Sequence, residues 1–233
     1  MNGPLNWVAF WDRPHSIYVN QRHLDAHCRD VARGIVALVP GPQARVLDFG
    51  CGESTHADLV ADAATELTLC DAAASVREHL AQRFAGNRKI KVLSPDEVER
   101  LPSGAFELIV VNSVAQYMTA AELDRWLANW RRLLAPGGAL VVADVIRPDA
   151  SPFGDAMALL RYAAANGFVI AALWGVAKTA FSSYRNVRAR LGIATYDEPT
   201  IMAKVAAQGF AVERLPFNLE HNPSRMTFRA RPV

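Results

Sequence analysis

The sequence is poor in cysteine, in surplus charge and in long apolar runs. Only Cys28, Cys51 and Cys70 occur in 233 residues. Three cysteines cannot build a disulfide framework, and a reducing, cytoplasmic setting fits that usage. Charge of one sign is also missing: 25 Lys and Arg stand against 23 Asp and Glu, a formal +2. Near neutrality gives no electrostatic footprint for DNA or RNA, so nucleic acid is not an expected partner. The most apolar stretch, residues 167–177 (GFVIAALWGVA), falls short of the roughly 20 residues a bilayer span needs. The start, MNGPLNWVAFWDRPH, has neither a basic n-region nor a clean apolar h-region, so no signal peptide is expected. No internal repeat or low-complexity tract is visible.

What is present is the material of a core. A hydrophobic fraction of 51% with 21% charged residues excludes a disordered chain, and the length suffices for a core without staples. The mean hydropathy of +0.06 is high for a soluble protein. Much of the excess sits in 167–177. That run reads as a buried helix or as a lid over an apolar substrate or membrane surface. Contact between copies of the chain is a third use for it, so monomer and homodimer both stay open, as does peripheral membrane contact.

The pattern divides the chain into an N-terminal segment (1–42), a core of alternating strands and helices (43–148), a helical insert (149–196) and a last helix with two closing strands (197–233). Within the core, Val46–Phe49 is apolar apart from Asp48 and ends in glycines, as a buried parallel strand does. A helix follows over roughly Thr55–Ala64, then a strand over Glu66–Asp71 and a helix over Ala72–Phe84, with Val76, Leu80 and Phe84 on one face. Ile90–Leu93 and Phe106–Val111 are the third and fourth strands. Thr119 and Glu122 have capping-box spacing. Leu123, Trp126, Leu127, Trp130, Leu133 and Leu134 then repeat on one helical face. Pro136-Gly137-Gly138 ends that helix and leads into a fifth strand, Ala139–Val145. After Pro148 the pattern is helical to about Leu191, with another helix near Glu198–Gln208. Phe210–Leu215 and Arg225–Ala230 close the chain as strands, with a turn at Asn222-Pro223-Ser224. This rhythm predicts an α/β fold: a doubly wound, mostly parallel, seven-stranded Rossmann-like sheet with one antiparallel strand.

In such a sheet, ligands bind beyond the carboxyl ends of the strands. The first strand ends in Asp48-Phe49-Gly50-Cys51-Gly52-Glu53-Ser54, where two glycines allow a tight turn and close approach to a ligand. The second ends in Asp71, about 20 residues on, where a carboxylate can accept ribose hydroxyls. A dinucleotide site wants a third glycine where Thr55 stands. Acids at 48 and 53 are also unfavourable beside a pyrophosphate, whereas they suit a ligand with an amino group and a sulfonium.

The blocks VLDFGCGES (46–54), LTLCD (67–71), LPSGAFELIVVNSVAQYM (101–118) and LLAPGGALVVADV (133–145), in this order, resemble a class I S-adenosylmethionine-dependent methyltransferase of the small-molecule type. The NSVAQYM segment is also similar to methyltransferase modules of peptide and polyketide assembly lines. Ser54 stands where the family usually has a third glycine. The resemblance implies S-adenosylmethionine as cofactor, leaving as S-adenosylhomocysteine, and a small-molecule acceptor, with a hydrophobic one favoured by Phe168, Leu173 and Trp174. It implies that Gly50, Cys51 and Gly52 line the methionine part, that Asp48 holds its amino group, that Asp71 binds the ribose and that Ala72 lies under the adenine. Asp96 or Glu97 would meet the adenine amine. Asn112, Ser113 and Tyr117 would face the methionine end or the acceptor, with Gln116 beside them. Cys51 also reads as simple packing.

Methyl transfer needs chiefly positioning and exclusion of water, so no fixed motif marks a catalytic group. The candidates are His23, Tyr18, Tyr117 and Asp144, with His27 and His221 as further residues able to reach the mouth. Tyr18, Arg22, His23 and His27 stand at near-helical spacing. His23 and His27 are half of a metal set, but only Cys28 or Asp30 lies near in sequence to complete it, and no metal is assigned. Both also read as surface or capping histidines. The Arg185, Arg188 and Arg190 cluster reads as a solvated helix face. A non-catalytic binder of the cofactor and a protein methyltransferase are the competing readings.

Overall fold

The computed structural model describes residues 6–12, 17–179 and 191–233. The strands are β1 (Arg45–Phe49), β2 (Glu66–Cys70), β3 (Ile90–Leu93), β4 (Phe106–Asn112), β5 (Leu134–Val145), β6 (Phe210–Arg214) and β7 (Met226–Pro232). They form one sheet in the order β3-β2-β1-β4-β5-β7-β6. β1 to β5 pair in parallel, and β7 runs antiparallel to both β5 and β6. The chain reverses direction across the sheet between β1 and β4, so the loops after these two strands flank the switch point.

Helices cover both faces. α1 (Trp7–Trp11) and α2 (Gln21–Leu38) precede the sheet. α3 (Ala57–Ala63), α4 (Ala74–Arg83), α5 (Pro95–Glu99) and α6 (Ala120–Leu133) are the crossovers. α7 (Pro152–Asn166), α8 (Val169–Thr179) and α9 (Glu198–Ala206) follow β5. One core layer joins Phe49, Phe106, Ile109, Trp126, Trp130 and Phe228. The other joins Ile35, Val46, Leu69, Val60, Val76 and Leu80. α6 shows why its sequence was so legible. The Thr119 side chain accepts the Glu122 amide and Glu122 accepts the Thr119 amide, satisfying two orphan donors of the first turn. Its buried stripe then sets Trp126 and Trp130 against the Phe49 ring at 4.5 and 5.3 Å.

Beyond shifts of a residue or two, three differences from the sequence pattern bear on the site. β5 starts at Leu134, not Ala139, because Leu134 already pairs with Phe106 before a register shift brings Ala139 opposite Leu108. The helical run after Pro148 breaks at Gly167, whose φ of +73° caps α7, a conformation glycine adopts at little cost. Tyr18 lies outside α2, which begins after Asn20 caps the His23 amide.

The 167–177 run is split rather than buried. Phe168 and Ala172 are inside, whereas Leu173 and Trp174 face solvent, Trp174 at 74% exposure. Two of the three residues that favoured a hydrophobic acceptor are therefore exposed to solvent. Among the described residues no helix is long and apolar enough to cross a membrane. The Arg185, Arg188 and Arg190 cluster lies outside the described residues.

Candidate active site

The turn after β1 is tied to the end of β2. The Gly50 and Cys51 amides donate to the Cys70 carbonyl at 2.7 and 3.0 Å. Gly50 has φ +76°, and a Cβ there would sit 2.2 Å from Val114 Cγ2, so position 50 has no room for a side chain. Gly52 has φ +56°, with open space where its Cβ would be. Ser54 also holds a positive φ, 33°. The backbone thus keeps at Ser54 the kind of conformation that favours glycine.

Asp71 closes this turn. One carboxylate oxygen accepts the Gly52 amide at 3.0 Å and the other the Ala73 amide at 2.8 Å. Burial raises its pKa in spite of these bonds. Ala72 beside it is exposed, and Arg77 fixes the local backbone by donating to the Asp71 and Ala72 carbonyls. Asp48 is 7% exposed. Burial, then the neighbouring Asp71, pushes its carboxyl up to about 7, with no hydrogen-bond donor among the causes of the shift. Burial and the same two carboxylates also push the Cys51 thiol well up, which leaves it protonated. Glu97 is occupied as a cap, accepting the Ser94 amide at 2.8 Å and the Ser94 hydroxyl at 2.7 Å. Asp96, exposed at the same helix start, makes no such bond. α1 crosses the mouth: Trp7 and Trp11 pack on Tyr117 at 4.6 and 5.5 Å, and Asp12 accepts the Ser75 amide at the start of α4.

A second group of polar residues gathers beyond β4 and β5. Asn112 donates to Glu220 Oε1 at 2.8 Å. The Ser113 hydroxyl is 2.8 Å from Asp144 Oδ2 and 3.4 Å from Glu220 Oε1. Asn218 brackets Asp144, accepting its amide and donating to Oδ1, both at 3.1 Å. Ser113 and Asp144 each hold φ +58°. Such left-handed backbone at two non-glycine residues is costly and gathers at functional sites. His27 Nδ1 lies 3.1 Å from Glu220 Oε2. Burial alone would raise the Glu220 pKa, but His27 overrides it and holds the carboxylate ionised. Burial, then the Glu220 charge, raises Asp144.

The catalytic candidates separate accordingly. His23 is stacked on Phe168 at 5.0 Å, and its Nδ1 accepts the Val19 amide. Burial, then His27 and His221, lowers its pKa to about 4, so it is neutral at neutral pH, with a buried Nε2 lacking a partner. Tyr18 touches both His23 and His27, at 5.3 and 5.2 Å between rings. Tyr117 stands apart, under α1. Asp144 joins the polar group, and Gln116 is buried, its carbonyl accepting the Ala194 amide. Glu220 was not foreseen. It lies in the long connection between β6 and β7, where the sequence pointed to a turn and to His221 but not to its neighbour. An acid between polar neighbours in FNLEHNPS was the available clue.

A methyltransferase-domain family matches residues 47–140. Nodulation protein S of Rhizobium tropici is 30% identical over 108 residues, 46% of this chain and 45% of that one. An uncharacterized methyltransferase of Geobacillus kaustophilus is 27% identical over 167 residues, 70% of this chain and 73% of that one. The chain thus spans about half the length of the nodulation relative. Magnesium protoporphyrin IX methyltransferase of Synechocystis, solved with its S-adenosylmethionine bound, superposes with a TM-score of 0.59 at 14% identity, over 97% of this chain and 89% of that one. Residues 47–140 are thus similar to a methyltransferase domain, and the chain has the fold of the solved methyltransferase it superposes on.

Proposed function

We propose that this chain transfers a methyl group from S-adenosylmethionine to a small-molecule acceptor by in-line displacement. The observation that carries the reading is Asp48: a carboxyl only 7% exposed and without a hydrogen-bond donor among the described residues, beneath a glycine turn with open space at Gly52. Such a group is costly unless a cation completes it, and the cofactor's amino group is a cation of that kind. Asp71 keeps free lone pairs on both oxygens for ribose hydroxyls. Ala72 lies exposed where an adenine would rest, and Asp96 is the freer of the two acids for its amine. The residues present therefore fit the group.

When bound, the cofactor supplies an electrophilic methyl on a sulfonium. The chain's task is to aim a nucleophile at it and keep water out. Gly50, Cys51 and Gly52 let the backbone come close, and Trp7 and Trp11 over Tyr117 cover the mouth. The rings of Tyr18, His23, Tyr162 and Phe168, together with the polar group around Glu220, form the acceptor side. His23 serves there as a neutral wall, because its depressed pKa makes it a weak base.

The test is calorimetric titration with S-adenosylhomocysteine, S-adenosylmethionine and NAD, followed by mass spectrometry of cell extract for products heavier by one methylene. The expected outcome is binding of the two sulfur ligands and a methylated small molecule. Binding of NAD alone would overturn the reading, and cofactor binding without any methylated product would leave a non-catalytic binder.

A further inference from the structure

The acceptor side contains a donor set that methyl transfer does not by itself require. One nitrogen each of His27 and His221 and one carboxylate oxygen of Glu220 lie within 4.8 Å of one another. His27 Nδ1 is 3.1 Å from Glu220 Oε2, and His221 Nδ1 is 4.0 Å from the same oxygen. That second distance is too long for a hydrogen bond. His221 Nδ1 is nonetheless buried and has no other partner among the described residues.

We propose that His27, Glu220 and His221 bind one divalent transition-metal ion. Two imidazoles and a carboxylate suit Zn²⁺, Co²⁺ or Fe²⁺ rather than the oxygen-seeking Mg²⁺ and Ca²⁺. Donors about 2.0–2.2 Å from a tetrahedral ion stand roughly 3.3 Å apart. His27 and Glu220 are already near that separation, and His221 has less than about an ångström to close on Glu220. The His221 ring is stacked on Tyr162 at 4.7 Å, which holds it beside the pair. The other Glu220 oxygen is engaged by Asn112 and Ser113, so Oε2 is the one left facing the imidazoles. Metal-bound carboxylates are commonly held by outer hydrogen bonds in this way.

Three protein ligands leave an open position, as in sites that take water or substrate. Its neighbour Asn112 ends β4, next to the glycine turn's side of the sheet. The open position therefore assigns the acceptor to molecules with an oxygen, nitrogen or sulfur donor atom. That assignment rests on the methyl-transfer reading, whereas metal binding itself does not.

The test is titration of the full chain with Co²⁺ alone, followed by visible absorption and calorimetry, with S-adenosylhomocysteine binding measured on the same samples. One ion per chain is expected. His27→Ala and His221→Ala should each weaken it by at least about tenfold while S-adenosylhomocysteine affinity holds, and His79→Ala should change neither. Glu220 is buried among charged partners, so its removal threatens the fold. His221→Ala, in a loop, keeps the test decisive. Failure of wild type to bind Co²⁺ or Zn²⁺, or unchanged affinity in His221→Ala, would overturn the site and leave a plain His27–Glu220 ion pair. Co²⁺ binding without S-adenosylhomocysteine binding would instead sink the methyl-transfer reading and leave the metal site standing.

Discussion

The two sides of the candidate site were built differently. The proposed cofactor side comes from one stretch of about 25 residues, Asp48 to Ala73, in which two adjacent strands end in a glycine turn and an acid. The polar group of the proposed acceptor side is gathered from four remote segments: His27 on α2, Asn112 and Ser113 at the end of β4, Asp144 in β5, and Asn218 to His221 before β7. The first depends on local backbone geometry. The second depends on the antiparallel return of β7, which brings its loop to the ends of parallel strands. A glycine turn can be read as a motif because its causes are neighbours in sequence. A cluster joined across 193 residues, as His27 and Glu220 are, leaves no local trace.

That contrast is open to direct attack. The largest effect is expected from Asp48→Asn. A carboxyl raised to about 7 retains its proton in the fold between its unfolded pKa, 3.8, and about 7. Its contribution to stability is therefore full below the unfolded value and is lost as pH rises through the folded one. Wild type should lose up to about 4 kcal/mol relative to the Asn variant between pH 4 and 8, read from denaturant unfolding at each pH. The same substitution should weaken S-adenosylhomocysteine binding. Equal pH slopes in the two proteins would break the account of Asp48.

Next in size is Phe168→Ala, which removes a ring that is 4% exposed and stacked on His23. A loss of about 3 kcal/mol is expected, with cofactor affinity unchanged, and urea unfolding with calorimetry on one sample would check both. A large fall in cofactor affinity would show that the two sides are not separable. Asp71→Ala should act in the opposite sense. It removes a charged acceptor from the ribose, so S-adenosylhomocysteine affinity should drop roughly 100-fold, while Co²⁺ affinity stays within a factor of two to three. The smallest effect belongs to Trp174→Ala, at a position 74% exposed. Stability should stay within about 0.5 kcal/mol, and a larger loss would mean that α8 packs more closely than it does here.

Much of the fold was legible for physical reasons. Strands buried on both faces must be apolar throughout, as Leu108, Ile109, Val110 and Val111 are in β4. A capping box must place acid and hydroxyl three apart, as Thr119 and Glu122 do. Boundaries failed where pairing outran propensity: Leu134 is extended because Phe106 offers it a partner, although it continues the helical stripe of α6. The Asp48, Asp71 and glycine positions stand together in the fold, and the Asn112 end of β4 lies near them. His23 and His27 share one face of a helix, so their spacing alone does not separate them. Only packing distinguishes the ring stacked on Phe168 from the one aimed at Glu220.

By itself, the sequence determined the order of strands and helices, the glycine turn and the acids that bracket it, since each follows from backbone preferences and burial over short spans. Tertiary structure alone decided which histidine meets a carboxylate, which side of 167–177 faces water, and that Glu220 joins His27 and His221. Those outcomes depend on how the last loop crosses the sheet, and a contact between distant segments is set by the packing of the elements between them.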